Sequence, residues 1–123
     1  METVTTPRTE IAPWDIVRVD FPFADEATTR RRPALVIATP AATDAFSIIW
    51  VLMITSAAQG RWLTDVPISD LPRGGLSHPC VVRTSKITAL DSRLATPIGD
   101  LAAIDRGGVA ACLNELLATA LAG

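Results

Sequence analysis

Two apolar runs rich in valine and isoleucine, Ala34–Ala38 and Phe46–Ile54, do most to restrict what this chain can fold into. Both are short and β-branched and neither shows a polar alternation, so they read as central strands of a sheet covered on both faces. The longest unbroken apolar stretch, Ile48–Ile54, falls far below the roughly 18 residues that a membrane span needs. A soluble core built around these two strands is therefore expected. At 123 residues the chain is long enough for one domain that buries such a core without metal or disulfide staples.

The flanking segments supply the remaining strands. From Asp15 the chain alternates, with Val17, Val19 and Phe21 on one side and Ile16, Arg18 and Asp20 on the other, the period of a half-buried strand. Pro22 and the polar cluster behind it predict a loop over residues 22–31. Trp62–Ile68 alternates but contains Pro67, which assigns it to a sheet edge, and Ser69–Gly75 reads as a turn. Val81–Ile87 is a further strand, followed by a turn at Ala89–Arg93 and a short segment at Thr96–Ile98. Only the end of the chain changes period: Val109, Cys112, Leu113, Leu116, Leu117, Ala120 and Leu121 recur at helical spacing. They predict an amphipathic helix over about 108–121 with Asp105 as its cap. The fold class is mainly β with one C-terminal α-helix, a small, strongly bent antiparallel sheet or partial barrel. Residues 1–13 read as a flexible arm ahead of a single domain, 14–123.

Charge narrows the function classes. Eleven basic against thirteen acidic residues leave a formal net charge of -2, which offers no global attraction to phosphate. Any polyanion site must be local. All the cations but Lys86 are arginine, the side chain that grips phosphate bidentately, though genome base composition would produce the same bias. Cys80 and Cys112 fall in an expected strand and helix and read as reduced, buried thiols. The N-terminal stretch METVTTPRTEIAP lacks an apolar signal core, and a cytoplasmic location is expected.

Much chemistry is excluded by residue type. His78 is the only histidine, so a two-histidine acid and base pair cannot form and a histidine-rich metal site is ruled out, and no Ser-His-Asp triad is expected. Directly before Pro79, His78 reads as a turn residue hydrogen-bonded to backbone. Arg73 and Arg106 each precede a glycine pair, but without phosphate-loop spacing both read as turns. The carboxylates are scattered, with only Asp25 and Glu26 adjacent, and no metal site is expected. There remains Arg32, at the mouth of one central strand in TRRRPALVI, with Thr55 and Ser56 at the end of the next in VLMITSAAQG. If these strands pair as a hairpin, a guanidinium and two hydroxyls share one end of the sheet. Such a group can hold a phosphodiester and stabilise charge as it is attacked.

Taken in order, the segments WDIVRVDFPFADEATTRRRPALVIATP, VLMITSAAQ and HPCVVRTSKITALDSRL, then a closing helix, resemble the PemK/MazF family of toxin–antitoxin ribonucleases. The likeness runs from Trp14 onward. Its most specific element is the aspartate, valine and aromatic strand opening, the polar loop and the arginine-proline step into an apolar strand, joined downstream by the threonine-serine strand end.

The resemblance implies an SH3-like partial barrel and a toxin that cleaves single-stranded RNA, usually messenger RNA, with no metal or cofactor. It further implies a homodimer restrained by a small antitoxin. The family's catalytic pair is the arginine before the proline and the threonine ending the third strand, here Arg32 and Thr55, with Ser56 as a helper. The ribose 2′-hydroxyl attacks its own phosphate, leaving a 2′,3′-cyclic phosphate and a 5′-hydroxyl. Arg32 would stabilise the phosphorane and protonate the leaving oxygen, while Thr55 fixes the phosphate. Glu26 or Asp25 approximates an acidic loop residue that many relatives carry, which leaves the general base open. Ser85 and Lys86 stand where many relatives have an acidic or amide pair. With Arg30, Arg31 and Arg83 they would line an RNA groove. An antitoxin with a flexible acidic segment would lie along the same groove and displace the loop from Pro22 to Arg31.

Two other classes of function compete. A noncatalytic toxin of the same superfamily, acting on a protein target such as a topoisomerase, is disfavoured by the presence of both Arg32 and Thr55. An RNA-binding module without activity is disfavoured by 5% aromatic content and no tyrosine, since such modules stack bases on aromatic rings.

Overall fold

The apolar runs pair side by side at the centre of a six-stranded sheet. The computed structural model describes residues 10–22, 29–39 and 47–123. Its strands are β1 (Asp15–Pro22), β2 (Thr29–Ala38), β3 (Ile48–Ser56), β4 (Asp65–Pro67), β5 (Cys80–Asp91) and β6 (Ala95–Asp100), followed by helix α1 (Ala103–Ala122). Their order across the sheet is β4-β5-β3-β2-β1-β6, and each neighbouring pair is antiparallel. Register shifts interrupt β1–β6, β2–β3 and β3–β5. Each such irregularity adds twist and bends the strand carrying it, which produces the bent, open sheet expected.

Burial on both faces follows from the alternation. Ile16, Leu35, Leu52, Ile54 and Val82 join Ile68, Leu101 and Val109 in one cluster. Val17, Val19, Ala34, Val36, Ile49 and Val51 form a second with Leu90. The prolines mark boundaries as expected: Pro67 ends β4, which lies at the sheet edge. Pro33 has a sharper effect. Pairing of β2 to β3 stops at Ala34–Met53, next to a residue with no N–H to donate, while β2 continues along β1 through Arg32–Val19. The two central strands are thus released from each other at Arg32 and Thr55.

Four expectations are corrected. The loop placed at 22–31 is shorter, because β1 runs to Pro22 and β2 starts at Thr29. Arg30 and Arg31 are therefore strand residues, opposite Phe21 and Asp20. Nor does the strand placed at Val81–Ile87 turn at Ala89: β5 continues to Asp91, held by pairing of Ala89, Leu90 and Asp91 to Trp50, Ile49 and Ile48, and Leu90 is buried. A 3₁₀ turn, Ser92–Leu94, follows, capped by the Asp91 side chain. Helix α1 begins at Ala103 rather than near Gly108, and Asp105 lies in its first turn instead of capping it. The Asp105 carboxylate is spent on Ser69, accepting from its N–H at 2.8 Å and its Oγ at 2.5 Å. Finally, the apolar stripe of α1 reaches the core through Val109 and Leu113, whereas Leu117 and Leu121 stay exposed. Among the described residues no helix is long and apolar enough to cross a membrane. The expected arm, apart from residues 10–13, and the loop carboxylates Asp25 and Glu26 lie outside the described residues.

Candidate active site

Arg32 and Thr55 line two adjoining cavities and belong to both. The first, about 300 Å³, lies toward Met53 and is completed by Ile54, Arg83, Lys86 and Thr88. The second, about 470 Å³, lies toward Ser56 and is completed by Arg31, Pro33, Ile54, Gln59, His78 and Cys80. Together they make a groove across the sheet end that Pro33 opens, with Arg32 and Thr55 common to its two halves.

A bulge on β5 forms the wall on the Met53 side. Leu52 pairs with Ile87 and Ile54 with Val82, so Met53 alone faces Arg83, Thr84, Ser85 and Lys86. Lys86 is exposed there and lines the first cavity. Ser85 lines neither cavity; its Oγ accepts from Thr64 Oγ1 at 3.0 Å. Arg83 departs most from the expected row of open cations. It is buried, its Nε and Nη2 donate to the Asp65 carboxylate at 3.0 and 2.9 Å, and Nη2 also donates to the Gly60 carbonyl at 3.0 Å. The guanidinium stacks 4.0 Å from the Trp62 ring centroid. Hydrogen bonding from Arg83 holds the Asp65 carboxyl below the ordinary carboxylate range, so the pair is ionised and its charge locally cancelled. Arg83 shapes the wall rather than standing free in it.

The other predicted residues divide. Ser56 lines the second cavity, but its Oγ accepts from Ala58 N–H at 3.2 Å and caps the 3₁₀ turn Ala57–Gln59. Arg31 also lines the second cavity, and its Nε donates to Asp20 Oδ1 across β1 and β2 at 2.9 Å. Arg30 stands next to it in β2. Glu26 lies outside the described residues. Burial pushes the Cys80 thiol up, and Cys80 and Cys112 are both free.

His78 is the residue that sequence reasoning set aside. Instead of a backbone partner its ring has Ser77 Oγ 3.5 Å from Nδ1, and it is exposed along the second cavity. The signal lay in register: Ser56 pairs with Cys80, so a residue two positions before Cys80 must emerge at the same sheet end as Thr55.

The comparisons with known proteins agree with this architecture. Residues 12–117 match the family described as PemK-like, MazF-like toxin of type II toxin-antitoxin system. No curated protein matches the chain by sequence. Among solved structures, MazF of Deinococcus radiodurans is similar to it at 27% identity and a TM-score of 0.65, over 86% of this chain and 94% of that one. A chain of the MazE-MazF structure from the same organism is similar at 27% identity and a TM-score of 0.63, over 85% and 92%. Mycobacterium tuberculosis toxin MazF-mt6, at 21% identity and a TM-score of 0.60 over 80% and 92%, shares the fold. With the family match running from the strand opening at Trp14 through most of the closing helix, the chain belongs to the PemK-like, MazF-like toxins of type II toxin–antitoxin systems.

Proposed function

We propose that this toxin is an endoribonuclease that cuts single-stranded RNA, messenger RNA in the cytoplasm, at the Arg32–Thr55 centre of the groove and without a metal. The observation that carries the reading is the shared position of these two side chains, each lining both cavities. A phosphodiester seated between them would have its flanking nucleotides in the two cavities. Arg32 supplies permanently charged donors for the extra negative charge that gathers on the phosphorane oxygens, and Thr55 Oγ1 fixes a non-bridging oxygen. Attack by the ribose 2′-hydroxyl confines the chemistry to RNA and leaves 2′,3′-cyclic phosphate and 5′-hydroxyl ends.

Lys86 and Arg31 extend the positive lining to either side of the centre, where they would hold neighbouring phosphates. The antitoxin is a partner with a flexible acidic segment that takes the same groove, as a mimic of the RNA backbone; the MazE-MazF structure of D. radiodurans, of which a chain is similar to this one, supports the existence of a protein partner. The toxin works as a homodimer. Exposed Trp50, Ile87, Leu94 and Leu121 supply apolar surface that a second copy would cover, and sedimentation at micromolar concentration should show the dimer.

The decisive test incubates the purified protein with a long single-stranded RNA in EDTA and maps the ends. Cuts carrying 5′-hydroxyls support the reading; intact RNA overturns it.

A further inference from the structure

Resting on the ribonuclease reading, we propose that His78 is the general base of the reaction, the group that takes the proton from the attacking 2′-hydroxyl. Among the described residues lining the two cavities, the cations Arg31, Arg32, Arg83 and Lys86 carry no lone pair at neutral pH. Thr55, Thr88, Ser56 and Gln59 are far too weakly basic. Cys80 is buried and its thiol is held protonated by desolvation. Among the described residues, the carboxylates that pair with the lining arginines are engaged: Asp20 accepts from Arg31 and Asp65 from Arg83, and neither lines the two cavities. Among the described lining groups, the His78 imidazole is the one whose ring nitrogen can take a proton and give it back.

Position agrees with type. In-line displacement puts the attacking and leaving oxygens on opposite sides of phosphorus. The groove is likewise two-sided about Arg32 and Thr55, with His78 on the Ser56 side and Lys86 on the Met53 side. His78 directly precedes Pro79, whose ring restricts the backbone before it, and the strand pair Ser56–Cys80 begins two residues on. The side chain thus projects from a constrained segment. Ser77 Oγ lies 3.5 Å from Nδ1; in the tautomer that carries its proton on Nδ1, Nε2 holds the lone pair that the reaction uses. In the reaction Nε2 takes the 2′-hydroxyl proton as the 2′-oxygen–phosphorus bond forms. The bond from phosphorus to the 5′-oxygen breaks, and that oxygen gains a proton from solvent. The imidazolium then returns its own proton to solvent, so protons balance over the cycle. The charged and titratable residues that line the same cavity as His78 are Arg31 and Arg32 from β2 and Cys80 from β5.

The test compares the parent protein with His78→Ala and His78→Gln on a short RNA of single cleavage site. Both variants should keep their thermal midpoint and lose about 10²–10⁴-fold in rate. Added imidazole should restore rate to His78→Ala, which a merely structural histidine would not allow. A substrate with a 5′-bridging sulfur leaves as thiolate without needing a proton, and there the loss must persist; its disappearance would make His78 the acid and overturn the assignment. Variants within threefold of the parent remove His78 from the chemistry but leave the ribonuclease reading standing. A parent that cuts no RNA overturns that reading and this role together.

Discussion

Arg83 forks onto Asp65 beneath the groove, Nε to one carboxylate oxygen at 3.0 Å and Nη2 to the other at 2.9 Å, and so ties the β5 bulge to edge strand β4. The Asp65 backbone N–H in turn donates to the Trp62 carbonyl at 3.1 Å, and Asp65 Oδ2 accepts from Trp62 N–H at 2.8 Å. The ring on which Arg83 stacks is therefore set by the same carboxylate. Removing one partner of a buried pair strands the other's charge. Asp65→Asn should lower stability by about 3 kcal/mol, read by urea titration. Because Arg83 holds the Asp65 carboxyl below its ordinary value of 3.8, the contribution is complete above that value and is lost as pH falls through the lower, folded one. The parent should lose stability below about pH 4, and Asp65→Asn should show a flatter profile there. Matching acid profiles would show that the pair does not act as described.

Arg32→Lys keeps the charge and loses the planar fork that holds two phosphate oxygens. It should fold normally by circular dichroism and lose about 10²–10³-fold in cleavage rate, the usual cost of one preorganised transition-state donor. A rate within threefold of the parent would take Arg32 out of the chemistry.

Thr55→Val preserves shape and deletes the hydroxyl. Cleavage should drop sharply, with thermal stability little changed because Thr55 is only half-buried at the groove wall. Were the rate unchanged, the reacting phosphate would have to sit elsewhere along the groove.

Lys86→Glu probes whether RNA and antitoxin share the groove. Lys86 is exposed on the bulge, so reversal should spare the fold, weaken RNA binding about tenfold at low salt and flatten its salt dependence. The acidic partner should be weakened in parallel, as titration calorimetry at two salt concentrations would reveal. RNA binding lost with antitoxin affinity intact would separate the two surfaces. Reversal at Arg83 is a poor probe by comparison, since it would repel buried Asp65 and disrupt the wall itself.

The primary sequence by itself determined the central strands, because a continuous β-branched run has no stable place except between two apolar layers, and Leu35, Val36, Val51 and Leu52 are fully buried. It determined the edge role of β4 through Pro67 and the opening of the groove through Pro33, since a missing N–H is a local property that no packing restores. That Arg32 and Thr55 share one end of the sheet was also legible, because antiparallel neighbours bring the start of one strand to the end of the next. Tertiary structure decided what depends on partners distant in the chain. β5 runs on to Asp91 because β3 offers it pairing groups. Helix α1 starts early because Ser69, far back in the chain, engages Asp105. Arg83 reads in sequence like any basic residue of a groove and is withdrawn by Asp65 from another strand. His78 gains its place only when β3 and β5 align Ser56 with Cys80, because a side chain's chemistry belongs to the residue whereas its neighbours belong to the fold.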